Sequence, residues 1–295
     1  MNSLYEIFKT TVILSIIGFS ATALLLIIKP ITVKKLPAKW QYCVWIAVLI
    51  SMIFPAYKFI PQKQAQRVSH ITAARVEPPT VKTEEKIIGE TPSAVVKDTP
   101  FEYREIKVAD GRHIGISDLI CVVWLTGTGI FAAVILSSYV IYVIKRRKNS
   151  QAVENCEPLA SAKAELNIKR KILLRKSDEP ITPMLVGVLR PTVYIPSGDI
   201  APESMRMILL HELTHCKRCD LVIKWLAAAV NAVHWFNPLA YILCANISEA
   251  CEISCDMSVT KNMTNDEQKI YMKTILDLAQ ERRKRKCLKT STQPK

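Results

Sequence analysis

The chain has 295 residues, 49% of them hydrophobic, with a mean hydropathy of +0.16 and a formal net charge of +14. That length holds one sizeable domain plus membrane segments. The basic excess does not point to nucleic acid: much of it flanks apolar blocks or sits in the run Arg282, Arg283, Lys284, Arg285 and Lys286, where anionic lipid headgroups are the fitting partner, and no aromatic-interleaved basic motif occurs.

Three apolar blocks organise the first half. Residues 11–28 are almost unbroken and end at Lys29 and Pro30; residues 40–60 follow, with Trp40, Tyr42 and Tyr57 at interfacial positions; residues 119–144 form the third and close on Lys145, Arg146, Arg147 and Lys148. No small-residue cleavage site follows the first block, which reads as a retained span. Lys29, Lys34, Lys35 and Lys39 fill the loop between the first two blocks, so that loop and the segment after 145 are assigned to the cytoplasm by the positive-inside rule. The amino terminus and residues 61–114 are then outside. Two spans occupy 1–60, the third 115–145, and residues 146–295 form a cytoplasmic domain. The nine cysteines make no disulfide framework, since Cys43 and Cys121 fall in spans and the other seven in a reducing compartment.

Residues 61–114 are rich in Pro, Lys, Glu, Thr and Val and read as a weakly structured outer loop, with room for short strands near 95–96 and 102–108. His70 and His113 lie there, across the membrane from any cytoplasmic site. In the cytoplasmic part, residues 152–169 read as a linker and a surface helix. Residues 171–176 and 184–195 read as a small sheet punctuated by Gly187 and Pro191. Pro191, which cannot donate to a ladder, suits an edge strand that could align a substrate; a purely structural hairpin is the equal alternative.

The strongest local signal is His211-Glu212-Leu213-Thr214-His215, after the apolar run 205–210 and the first-turn residues Pro202 and Glu203. Positions four apart share a helix face, so the two imidazoles can bind one metal ion while Glu212 reaches its bound water, the H-E-x-x-H arrangement of zinc peptidases. Catalytic zinc keeps three protein ligands and one open position. Arg218 and Leu221 exclude the pattern that adds a third histidine at short spacing. The remaining candidates are His234, Glu249, Glu252 and Asp256. Glu252 and Asp256 are four apart among apolar neighbours, so one can bind metal while the other fixes an imidazole; His234, in an apolar stretch, reads better as a core histidine. Residues 221–247 are apolar enough to span, yet Lys224, Asn231, His234 and Pro238 interrupt them. A crossing there would put Glu252 on the wrong side, so a shared site requires two membrane-associated helices that enter and leave on the cytoplasmic side. Cys216 and Cys219 form a C-x-x-C with no second pair, and read as incidental thiols. Thr264 and Glu267 cap a final helix running toward Arg285.

Taken together, the H-E-x-x-H motif with Lys217, Arg218 and Asp220, then residues 234–239 (His-Trp-Phe-Asn-Pro-Leu), then 252–256, resembles the BlaR/MecR-type integral-membrane zinc peptidases. The resemblance implies a membrane α-helical N-terminal part plus an α+β cytoplasmic gluzincin-like domain. It further implies Zn2+ on His211, His215 and Glu252, Glu212 as catalytic base, and Asp256 supporting a ligand. Receptors of this type cleave a cytoplasmic winged-helix repressor, and often themselves, after an outside signal such as a β-lactam. They continue into an extracellular penicillin-binding sensor, which this chain is expected to lack together with its serine nucleophile. A separate sensor protein or the 61–114 loop would then supply the signal. Two rivals stand beside this: a quality-control protease resembling the HtpX/Ste24 type, against which 234–239 argues, and a non-catalytic membrane scaffold with a vestigial metal site.

Overall fold

The computed structural model describes residues 2–55, 106–107, 113–154, 156–179 and 181–291. Helix α1 (Asn2–Lys35) continues through Pro30 to the lysines, and α2 (Ala38–Ser51) starts after the extended Pro37. Two residue pairs, β1 (Ile106–Lys107) and β2 (His113–Ile114), form an antiparallel ladder. Of the strands read in the outer loop, the one near 95–96 lies outside the described residues, as does His70; His113 falls in β2. Helix α3 (Ile116–Lys148) ends on its four basic residues. Among the described residues, two helices, 4–35 and 116–148, are long and apolar enough to cross a membrane.

A mixed helix and sheet unit follows. Strand β3 (Ser150–Val153) leaves α3 after one residue, α4 (Glu157–Glu165) lies beyond it, and β4 (Leu173–Ser177), β5 (Met184–Val186) and β6 (Thr192–Pro196) complete a sheet of order β3-β4-β6-β5. Only the β4–β6 pairing is parallel. The stretch 184–195 holds two strands, divided where its punctuation lies: Gly187 turns the chain at φ +90°, where any Cβ would meet the Arg190 carbonyl oxygen. Pro191 precedes β6, an interior strand, and its carbonyl accepts from Leu173 N at 3.1 Å. The edge strands are β3 and β5, which corrects the edge role expected from Pro191. The strand β3 also falls where a linker was expected.

Helix α5 (Pro202–Arg218) lays Met207, Leu210 and Leu213 against Leu174, Val193 and Ile195 of the sheet, with Tyr271 of α8 (Asn265–Ser291) closing the same core. Thr264 and Glu267 cap α8 reciprocally, as their spacing predicts. Arg206 ties α5 to Glu165 of α4 at 2.9 Å and to Glu267 at 3.1 Å.

Between α5 and α8 the chain makes a hairpin, α6 (Asp220–Val233) and α7 (Pro238–Thr260). Pro238 stands at the start of α7, and Asn237 caps it by accepting from Leu239 N at 3.0 Å, so the proline ends one helix and opens the next. At about 1.5 Å per residue, α6 and the part of α7 up to Glu252 each rise about 20 Å, less than the ~30 Å hydrocarbon core. The hairpin packs among α1, α2 and α3, where Tyr42, Trp45, Leu49, Val230, Leu243 and Ile247 form a second core. Its tip is fixed by polar contacts: Asn237 donates to the Ser15 carbonyl at 3.2 Å and hydroxyl oxygen at 2.9 Å, His234 Nε2 to the Met52 carbonyl at 3.2 Å, and Trp124 Nε1 to the Val233 carbonyl at 3.0 Å. His234 is thus a core histidine at the end remote from the motif. The α2 contribution also corrects Tyr42, read as an interfacial residue: it is 7% exposed and faces α6.

Candidate active site

Seventeen residues of α5 carry the motif, and its apolar first half fixes the helix against the sheet so that His211, Glu212 and His215 emerge together. The hairpin then returns Glu252 to them. His211 Nε2 and His215 Nε2 stand 3.2 Å apart, and Glu252 Oε2 lies 3.6 Å from the first and 3.4 Å from the second. Two ring nitrogens and a carboxylate oxygen this close require a cation or a proton between them. For tetrahedral zinc with ligands at 2.0–2.1 Å, donor atoms are about 3.3 Å apart, so the triangle fits.

Each imidazole is held from its other nitrogen. His215 Nδ1 pairs with Asp220 Oδ2 at 2.8 Å; His211 Nδ1 meets the Tyr271 hydroxyl at 2.8 Å and Asp256 Oδ1 at 3.2 Å. Tyr271 in turn donates to Asp256 Oδ1 at 2.6 Å. Both Nδ1 atoms facing oxygen acceptors assigns their protons there, which leaves the Nε2 lone pairs aimed at Glu252. Lys224 Nζ donates to Glu252 Oε1 at 3.0 Å, leaving Oε2 for the imidazoles. The rival Glu249 is occupied instead by Lys29 of α1, at 2.7 Å.

Electrostatics follow from this packing. Burial pushes the Glu212 carboxyl above the ordinary carboxylate range, opposed by the two imidazoles. Burial would also raise Glu252, but its hydrogen bonds to His211 and His215 and the Lys224 charge hold it well below that range. For His211 burial lowers the pKa, and the Asp256 and Glu252 hydrogen bonds outweigh it, so the ring is pushed up to about 10. His215 is raised in the same way, against burial, by Asp220 first.

Two thiols also approach. Cys255, with His211 and His215, and Cys251, with His215 and Asp220, each make a trio whose ligand atoms lie within 4.8 Å. The Cys251 set uses His215 Nδ1, which Asp220 already occupies, and Cys255 Sγ lies 3.7 Å from the His211 carbonyl oxygen, to which it donates. Glu252 has the shorter and mutually consistent distances. Cys216 is half-buried, Cys219 is exposed in the left-handed turn between α5 and α6, and neither is bonded to the other. The one Ser-x-x-Lys string, residues 258–261, amends the expectation of no such nucleophile, but Ser258 donates its hydroxyl to the Ser254 carbonyl at 2.6 Å, inside α7.

A cleft of about 780 Å³ opens over the triad, with Met184 and Leu185 of the edge strand on one wall and Lys224 and Leu278 on others. Sequence reasoning named His211, Glu212, His215, Glu252 and Asp256, and the structure brings all five together. It missed Tyr271, Lys224 and the role of Asp220. Asp220, five residues past His215, carried a signal as the acidic first residue of a new helix; Tyr271 and Lys224 carried none.

The chain is 33% identical over 156 residues to the regulatory protein BlaR1 of Bacillus licheniformis, covering 51% of this chain and 25% of that protein. It is 24% identical over 269 residues to the methicillin resistance mecR1 protein of Staphylococcus aureus, covering 89% of this chain and 45% of that protein. The BlaR1 of Staphylococcus aureus matches at 22% over 271 residues. The chain thus spans less than half the length of these relatives. With residues 9–294 matched by the family model described as BlaR1 peptidase M56, this membrane protein belongs to that metallopeptidase family.

Proposed function

We propose that this chain is a membrane-bound zinc endopeptidase with a gluzincin-like site, in which His211, His215 and Glu252 hold the metal and Glu212 is the base. The observation that carries the reading is the triangle of donor atoms at 3.2, 3.4 and 3.6 Å, each imidazole fixed from behind. When bound, zinc would lower the pKa of its water and polarise the scissile carbonyl. Glu212, whose carboxyl is pushed above the ordinary carboxylate range by burial, takes the proton of the attacking water and returns it to the leaving amine. Asp220 and Asp256 keep the imidazole Nδ1 protons in place. The free edge of β5 offers backbone groups to an extended substrate lying in the cleft.

The basic ends of α1 and α3 both lie on the side of the site: Lys29 reaches α7, and α3 runs directly into the sheet. By the positive-inside rule this supports a cytoplasmic peptidase unit and an external amino terminus. A regulatory substrate then has to be cytoplasmic, and a winged-helix repressor of resistance genes, as for receptors of this type, is the one we propose, with the outer loop or a separate sensor protein supplying the signal. The test is co-expression of the chain with a winged-helix repressor of resistance genes. Wild type should shorten the repressor; Glu212→Gln should keep its metal and leave the repressor intact; Glu252→Gln should lose metal. An intact repressor with wild type, or equal cutting by Glu212→Gln, overturns the proposal.

A further inference from the structure

The metal-site histidine His215 is supported not only by its own unit but by the N-terminal helices. Asp220, 1% exposed, divides its two oxygens: Oδ2 takes His215 Nδ1 at 2.8 Å and Arg218 Nε at 3.3 Å, while Oδ1 accepts from the Tyr42 hydroxyl at 3.0 Å. Tyr42 belongs to α2, 178 residues away in the chain, and the Arg218 guanidinium lies over its ring at 5.2 Å from the centroid. A buried carboxylate oxygen that loses a donor is costly, so the hydroxyl helps fix the orientation of Asp220 beside the contacts of His215 and Arg218. We propose that Tyr42 is a positioning residue of the metal centre, acting through Asp220 on His215, so that the centre is complete only when α2 is docked on the hairpin.

Chemically the chain of contacts is one-directional. Tyr42 donates to Asp220, Asp220 accepts from His215 Nδ1, and the Nε2 lone pair of His215 is thereby aimed at the ion. A displacement of α2 that withdraws the hydroxyl frees Asp220 to rotate and loosens one of the ligands. This gives the helices that cross or touch the bilayer a direct mechanical hold on the centre, without any movement of α5 itself.

The inference rests on the metal-centre reading above. Its test uses the full chain in detergent, loaded with zinc and competed with a chromophoric chelator. Tyr42→Phe, which keeps the ring under Arg218, should weaken zinc by roughly three- to tenfold, the range of one lost hydrogen bond. Asp220→Asn should weaken it by roughly ten- to a hundredfold. Adding Tyr42→Phe to Asp220→Asn should produce no further loss, which a general packing role would not give. Wild-type affinity in Tyr42→Phe, or an undiminished loss in the double variant, overturns the proposal. His211→Ala separates the two readings: if it binds zinc as wild type does, the metal centre itself is misassigned; if it loses zinc while Tyr42→Phe does not, only the role of Tyr42 fails.

Discussion

The two cores of the molecule bury the same kinds of side chain and differ in what surrounds them. Around the sheet, α5 and α8, the outer faces are polar and laced with ion pairs such as Arg206 with Glu165 and Glu267. Around the hairpin, the outer faces of α1 and α3 are apolar: Ile16, Leu24, Ile27, Ile130, Val134 and Ile141 are each more than half exposed. Contiguous apolar surface on that scale is foreign to a water-facing fold and natural to one embedded in lipid. The proposed metal ligands stand at the seam, His211 and His215 on the helix of the first core and Glu252 on the helix that leaves the second. Neither core makes the centre alone.

Perturbations on either side of that seam should separate chemistry, packing and solvent. Glu212→Gln should lower cleavage by roughly a hundred- to ten-thousandfold with metal content unchanged, read by a peptide-cleavage assay beside metal analysis. Leu213→Ala, inside the motif but turned into the sheet-side core, should destabilise the protein by about 2–5 kcal/mol in denaturant titration. Ile130→Lys should cost about 3 kcal/mol of insertion and reduce the membrane fraction, whereas Leu189→Lys, more exposed still but on the sheet side, should not alter it. Equal behaviour of those two lysines would erase the distinction between the regions.

The titration of His211 is a finer probe. With its pKa above the ordinary 6.5 and at about 10, the charged ring stabilises the metal-free fold fully below 6.5 and stops doing so as pH rises through 10. Metal requires the neutral ring, so apparent zinc affinity should climb with pH over the same window while metal-free stability falls, measured by chelator competition and by denaturation with chelator. The smallest effect belongs to the cap of α8. Glu267 sits below its ordinary value of 4.5, held there first by the Thr264 backbone amide, so its contribution is present above 4.5 and lost as pH falls below it. Glu267→Gln should flatten that acid limb of the stability curve slightly.

What the sequence made legible was local. His211 and His215 needed only a helix of period 3.6, and Glu252 and Asp256 needed the same on α7. The return of Glu252 to the motif followed from topology, because a crossing hairpin would have separated them. Hydropathy does not separate lipid-facing from helix-facing positions: residues 38–51 are as apolar as a span, and Tyr42, Trp45 and Leu49 among them face other helices. Tyr271 and Lys224 arrive through tertiary packing across dozens of residues, and no local pattern announces them. Strand β3 carries Ser150 and Gln151 in a four-residue stretch, too short and too polar to stand out until β4 pairs with it.

The most direct test of the centre is X-ray absorption at the zinc edge of the full chain. A centre built by His211, His215 and Glu252 gives only nitrogen and oxygen neighbours at about 2.0–2.1 Å, and Glu252→Ala takes up little zinc. A sulfur shell at about 2.3 Å, the mark of Cys255 in place of Glu252, or a protein that takes up no zinc, would contradict it.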